Sequence, residues 1–214
     1  MSIRGAPSVP APAGRIIIGT PIIVVVSGPS GVGKDTLIER MAQMGHAHHF
    51  TITATTRPSR PGEREGVNHF FVTQDKFFNM VAANELLEWA HVYGNYYGVP
   101  KQQVRDAIAR GQHVIVRVDV QGARRIREVL PEALFIFVTP PSLATLRAHL
   151  IKRGVNSPED IERRLAAAKQ EMMEADTFDY RVLNEEGRLD ETVAEMARII
   201  DWEANREPRR NIVL

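Results

Sequence analysis

The chain contains no cysteine. Disulfides, zinc–thiolate sites and cysteine nucleophiles are therefore excluded, and a reducing compartment suits the sequence. An excess of either charge is also missing, since 27 Lys and Arg against 26 Asp and Glu leave a formal net charge of +1. That balance singles out neither a nucleic acid nor a membrane surface as the main partner. No apolar run approaches the ~20 residues needed to cross a bilayer. Residues 1–14 are rich in Pro, Ala, Gly and Ser and lack the apolar stretch of roughly 7–15 residues typical of a secretory signal. The expectation is a disordered N-terminal extension over residues 1–20 of a cytoplasmic protein. What the chain does have is 214 residues, 43% hydrophobic and 25% charged, which suits one globular domain with small inserted lobes.

Strand and helix patterns alternate, which predicts an α/β fold with a mostly parallel sheet. The spacing predicts strands at Ile22–Val26, Phe50–Thr53, Phe70–Val72, Leu86–Val92, His113–Val118, Leu134–Val138 and Arg181–Leu183. Helices are expected at Lys34–Met44, Asp75–Ala83, Pro100–Arg110, Gln121–Val129, from a Ser142 cap to Gly154, from Ser157 to Ala175, and at Glu191–Glu203. The segment Thr53–Val99 breaks the regular alternation with short extended pieces and reads as an inserted lobe. The helical segment after Gly154 reads as a lid. His46, His48 and His49 read as surface histidines in a connection. Phe70, Phe71, Phe77 and Phe78 read as core. Arg206–Arg210 reads as a solvated tail.

One stretch carries chemistry by itself. Gly28-Pro29-Ser30-Gly31-Val32-Gly33-Lys34-Asp35-Thr36 follows an unbroken β-branched run and precedes a helical pattern. This is the strand–loop–helix of a P-loop. Glycines let successive backbone N–H groups curl around a phosphate chain. The helix N-terminus and the Lys34 ammonium add positive charge. The stretch predicts a nucleoside triphosphate site. Asp35 stands where a Mg2+-ligating hydroxyl is usual, with Thr36 one residue later. Asp35 fits either a Mg2+ water shell or a dipole-stabilised helix acid. Further on, Arg57 and Arg60 lie in a polar, turn-forming stretch and suit bidentate phosphate contact.

Together these segments resemble guanylate kinase. The resemblance rests on the P-loop, on Thr55-Thr-Arg57-Pro-Ser-Arg60-Pro-Gly62-Glu63-Arg-Glu-Gly66, on Glu88-Trp89-Ala90, on Gly94-Asn95-Tyr96-Tyr97-Gly98 and on Val118-Asp119-Val120-Gln121-Gly122, in collinear order from about Ile22 to Glu203. It implies an α/β P-loop kinase over residues 21–205, with a parallel sheet core, an inserted GMP-binding lobe over about 53–99 and a helical lid over about 147–175, followed by a tail over 206–214. It implies transfer of the ATP γ-phosphoryl group to GMP, with Mg2+. Lys34 and the loop amides would hold ATP, and Asn184 would meet its adenine. Thr53, Arg57, Arg60, His69 and Tyr97 would surround the GMP phosphate. Glu88 would read guanine N1–H and the 2-amino group. Asp119 would meet the guanine or, with Asp35 and Thr36, the Mg2+ shell. Arg153 and Arg164 would meet the transferring group alongside Lys34 and Arg57.

The chain departs from the family pattern at Asp35, at Thr53 (for Ser), His69 (for Tyr), Val99 (for Ser), Arg117 (for an acid) and His149 (for Arg). Two rivals remain at this point. One is a kinase for another nucleoside monophosphate. The other is a non-catalytic binding module of the same fold, against which the complete P-loop argues.

Overall fold

The computed structural model describes residues 20–46, 48–92, 94–152, 157–207 and 210. Among them a five-stranded sheet forms the core. Its strands are β1 (Ile23–Ser27), β2 (His48–Phe50), β7 (His113–Arg117), β8 (Leu134–Thr139) and β9 (Tyr180–Leu183), in the order β2-β7-β1-β8-β9. All four pairings are parallel. Parallel neighbours need helical crossovers, so both faces of the sheet are covered. The crossovers and flanking helices are α1 (Lys34–Gln43), α3 (Lys101–Ala109), α4 (Val120–Val129), α5 (Leu143–Lys152), α6 (Pro158–Met173) and α7 (Leu189–Ala204).

The two-residue period of a strand explains the packing. Ile22, Val24 and Val26 point into one core with Leu37 and Met41 of α1 and Val193, Met196, Ile199 and Ile200 of α7. Ile23 and Val25 point into the opposite core with Val104 and Ala107 of α3 and Ala123 and Ile126 of α4. Every residue of β1 is buried. Each such aliphatic side chain contributes on the order of 1.5–3 kcal/mol. The strand that carries the P-loop is therefore held from both faces of the sheet.

A second sheet holds β3 (Ala54–Thr55), β4 (Phe70–Phe71), β5 (Leu86–Val92) and β6 (Asn95–Pro100), in the order β4-β3-β6-β5. Helix α2 (Gln74–Ala82) supports it, with Phe77 packed against Ala54 and Leu86. The Gln103 side chain of α3 fastens this lobe to the core. Ile52 N–H donates to Gln103 Oε1 at 2.8 Å, and Gln103 Nε2 donates back to Ile52 C=O at 2.7 Å.

Several expectations are corrected here. The strand expected at Phe50–Thr53 falls mostly on the connection between two strands, His48–Phe50 in the core and Ala54–Thr55 in the lobe, because the chain changes sheets there. The helix expected to start at Pro100 is found as α3, with Pro100 in the N-cap position, and the same residue ends the unexpected strand β6. Helix α6 stops at Met173, and a 3-10 turn covers Glu174–Thr177. His48 and His49 are strand residues, half-buried rather than on the surface, and the His48 ring stacks on His46 and meets His113 edge-on. Phe78 is 43% exposed, so it is not core.

Arg210 is not solvated either. It donates to Glu203 Oε2 at 2.8 Å and to the Ala133 carbonyl at 2.9 Å, because Glu203 is a buried carboxylate that needs a counter-charge. The N-terminal extension through residue 19, the expected helix end at Gly154 and Arg153 lie outside the described residues.

Candidate active site

The C-terminal ends of β1 and β7 face the lobe across a cleft of roughly 700 Å3. Open parallel sheets present ligands at this edge. From the core side come Gly28, Ser30, Lys34, Asp35, Arg117 and Asp119. From the lobe side come Thr53, Arg57, Arg60, His69, Glu88 and Tyr97. All of these but Arg117 are sequence-predicted site positions, and they meet in one cleft although they are drawn from both sheets.

The P-loop follows β1 directly. Gly33 has φ +96°, a left-handed conformation that favours glycine, and a Cβ there would lie 2.6 Å from Asn184 Nδ2. Asn184 itself donates to the Val32 carbonyl at 2.7 Å, so it braces the loop from behind. Pro29, Gly31, Val32 and Gly33 complete the turn, and Thr36 is exposed in the first turn of α1. Lys34 Nζ donates to the Gly28 and Pro29 carbonyls at 2.6 and 3.2 Å. Burial lowers its pKa to about 8, against the raising effect of Glu171. Arg164 of α6 donates to Ser30 Oγ at 3.1 Å and so reaches the same loop from the lid side.

Across the cleft, Arg57 is held by Glu63. Its Nη2 donates to Glu63 Oε1 at 2.8 Å, while Arg60 N–H donates to Glu63 Oε2 at 2.7 Å. The Arg57 hydrogen bond, then that of Arg60, hold the Glu63 carboxyl down at a pKa of about 2. The Arg57 guanidinium also lies over the Phe71 ring, 5.9 Å from its centre, and its charged form is supported by Tyr97. His69 packs edge-on to Tyr97 with ring centres 6.2 Å apart. Burial is the main cause that lowers the His69 pKa, so it presents a neutral ring near neutral pH. An Arg–Tyr–His cluster with one carboxylate counter-ion has the donor chemistry to bind an anion.

Glu88 sits on β5 and is only 8% exposed. Burial pushes its pKa up to about 7, with Arg125 opposing the shift and Asp119 adding to it. Arg125 of α4 is tied to this strand by a donation to the Trp89 carbonyl at 3.2 Å. Asp119 caps α4, its Oδ1 accepting from Gly122 N–H at 2.7 Å. Gly122 permits the approach of both acids, since a Cβ there would lie 3.2 Å from Asp119 Oδ1 and from Glu88 Oε2. Val99 is fully buried in the core.

The three residues expected near a metal, Asp35, Thr36 and Asp119, lie at or beside the P-loop edge of the cleft. The Asp35 carboxylate is paired with the Arg117 guanidinium, which explains both departures as one ion pair across the mouth of the cleft. One Asp119 oxygen is engaged by α4. Among the described residues no group of three or more His, Asp or Glu is placed to hold a metal ion.

Sequence reasoning missed Glu63, Arg125, Gly122 and Glu171 as members of the site. Glu63 and Gly122 were in quoted motifs, and a carboxylate three residues after Arg60 was the available signal. Nothing local marks Arg125 or Glu171.

The family model for guanylate kinase matches residues 20–203. Guanylate kinase 2, chloroplastic/mitochondrial, of Oryza sativa subsp. japonica is 44% identical over 90% of this chain and 68% of its own length. Guanylate kinase of Synechococcus sp. (strain JA-3-3Ab) is 41% identical over 91% of this chain and 86% of its own. The crystal structure of guanylate kinase from Anaplasma phagocytophilum superposes with a TM-score of 0.72 at 29% identity, covering 89% of this chain and 90% of that one. With a P-loop, an arginine-centred anion site and a buried carboxylate around one cleft, the chain belongs to the guanylate kinase family.

Proposed function

We propose that this protein transfers the γ-phosphoryl group of ATP to GMP, giving ADP and GDP. The observation that carries this reading is the pairing of two anion sites with a buried acceptor in one cleft. Lys34 and the loop amides form one anion site. Arg57, Arg60 and Tyr97 form the other, and Glu88, buried on β5, lines the same cleft. An oxygen of the GMP phosphate attacks the γ-phosphorus, the bond to the β-phosphate oxygen breaks, and ADP leaves. The work of the protein is to align two anions and offset their charge. Arg57 exchanges Glu63 for the GMP phosphate. Arg164, with Arg153, neutralises charge on the group in transit. Thr53 and His69 line the phosphate end, and Asn184 stands on the adenine side of the loop.

Glu88 supplies the base preference. As a carboxylate it accepts from guanine N1–H and the 2-amino group, whereas adenine offers N1 as an acceptor. Mg2+ enters with ATP as part of that substrate. The residues present suit this form of delivery. A nucleotide-borne Mg2+ keeps most of its waters and needs one or two protein oxygens, which Asp119 and Thr36 would offer beside the P-loop, with Asp35 joining them on release from Arg117.

No described helix is long and apolar enough to cross a membrane. We assign the protein to the cytoplasm, on the strength of its cysteine-free composition and its substrates.

The test is a steady-state assay with ATP and each nucleoside monophosphate, run beside folded Lys34→Ala. GMP should be the preferred acceptor, and the variant should lose turnover by at least about a hundredfold. Preference for another monophosphate, or nucleotide binding without turnover, would replace this reading with one of its two rivals. Equal turnover by Lys34→Ala would remove the role of the P-loop.

A further inference from the structure

Helix α6 reaches the P-loop with two side chains of opposite charge. Arg164 and Glu171 are seven residues apart and so share a helix face. Arg164 donates to Ser30 Oγ at 3.1 Å. Glu171 lines the cleft together with Ser30 and Lys34, and the Ser30 backbone N–H and the Lys34 ammonium both act on its carboxylate. Its Oε2 is buried without a hydrogen-bond partner. Lys34 meanwhile is folded onto two carbonyls of its own loop. The donors that a P-loop directs at a phosphate therefore already face an anion, and that anion comes from the neighbouring helix. A carboxylate and a phosphate compete for the same N–H groups and the same ammonium.

We propose that Glu171 is a positioning residue that stands in for a nucleotide phosphate at the empty P-loop, and that it takes up a proton when a nucleotide polyphosphate arrives. This rests on the reading of the P-loop as the ATP site. The charges that face Glu171 are Lys34 on α1, Asp119 at the start of α4 and Glu174 in the following turn, with Arg117 of β7 acting on Lys34. The Lys34 ammonium and, after it, the Ser30 backbone N–H stabilise the carboxylate; Asp119 and Glu174 oppose it. Burial, the largest cause, already raises its pKa in the empty protein. An incoming phosphate adds negative charge at close range and takes the Lys34 ammonium for itself. Both changes favour the neutral acid. The proton comes from solvent and remains on a Glu171 oxygen until the nucleotide leaves.

The experiment is calorimetric titration of ADP into the full chain and into Glu171→Gln, with Glu171→Ser as a second variant and thermal melting as the check on folding. Titrations at pH 6 in two buffers of different ionisation enthalpy give the protons taken up per ADP. The full chain should take up more protons than Glu171→Gln. At pH 7 the Gln variant should bind ADP about three- to tenfold tighter, because the like charge is gone, and the gap should narrow toward pH 5. Equal proton uptake by both proteins would overturn the proposal. So would weaker binding by Glu171→Gln at every pH, which would leave Glu171 as a mere support for Lys34. A full chain that binds no ADP would instead defeat the P-loop reading. ADP binding without GMP phosphorylation would defeat the catalytic reading and leave this inference standing.

Discussion

Replacing Glu88 with Gln tests the base-reading assignment and its electrostatics together. The carboxyl is nearly buried on β5, and burial holds its pKa at about 7. Guanine offers two donors to the carboxylate. The Gln amide meets one of them with an oxygen and the other with a donor of its own. An unmatched buried polar group costs about 1–3 kcal/mol. kcat/KM for GMP should therefore fall at least about tenfold, the equivalent of about 1.4 kcal/mol, and the GMP/AMP ratio should shrink. The pH profile separates this from a packing defect. With a pKa of about 7, the charged fraction of Glu88 rises roughly tenfold between pH 6 and pH 8, and kcat/KM should rise with it. Lys34, lowered to about 8, supplies the falling limb. Glu88→Gln should lose the rising limb and keep the falling one. The GMP phosphate titrates near ~6 with both proteins and cancels in the comparison.

Stability moves the other way. The folded-state pKa of Glu88 lies above its unfolded value of 4.5, so the folded chain binds more protons between pH 4.5 and about 7. Stability from this group is present below that window and is lost as pH rises through it. Glu88→Gln should thus be the more stable protein at pH 8, by up to about 3 kcal/mol, while being the poorer enzyme. An unchanged GMP/AMP ratio together with an unchanged rising limb would refute the reasoning and move base reading to Asp119.

Other outcomes follow from separate parts of the molecule. Asp35→Ser breaks the pair with Arg117 and leaves that cation facing Lys34, so the Mg2+ concentration for half-maximal rate should shift; Asp35→Ser with Arg117→Asp should bring it part of the way back, and coincident Mg2+ curves would show that the pair has no part in metal use. His48 is a core-edge histidine whose ring nitrogens are buried without partners and whose pKa is lowered to about 4, chiefly by burial. Its folded pKa lies below the unfolded 6.5, so the unfolded chain binds the extra proton and stability falls as pH drops from 6.5 toward 4. His48→Phe should flatten melting temperature against pH in that window, removing a loss of up to about 3 kcal/mol, and a variant with the same acid slope as the parent would show that other groups set it.

The parts of the fold that were legible in the sequence are those in which one signal dominates. The interiors of Ile23–Ser27, His113–Arg117 and Leu134–Thr139 are apolar runs buried on both faces, and that burial is what an unbroken apolar run of strand length encodes. Ser157 caps α6 as its sequence predicts, accepting from Asp160 N–H at 3.2 Å. Strand β6 was not legible, because Asn95–Pro100 carries Gly98 and Pro100, and its pairing comes from β3 and β5 elsewhere in the chain. Gly98 is needed where the two strands press together, since a Cβ there would lie 2.8 Å from Leu86 Cδ1. The site divides the same way. The P-loop is contiguous and was read directly. The Asp35–Arg117 pair and the approach of Glu171 to Lys34 depend on side chains brought together from distant elements, and a single sequence carries no local signal for them.

The Gln103–Ile52 clamp has a consequence for how this fold can vary. The chain leaves the core just after Ile52 and returns to it at α3, whose Gln103 holds Ile52 by both its N–H and its C=O. Departure and return are thus stitched side by side, like the two edges of a pocket sewn onto cloth. Apart from Leu87 and Val99, which pack into the core, and Trp89, which α4 holds, the segment between them can be lengthened or shortened without shifting the register of a core strand, because insertions are tolerated where their ends already meet. The acceptor-binding lobe is, in this sense, a replaceable part, fitted to the core at Gln103 and along the α4 start where Asp119 and Gly122 meet Glu88.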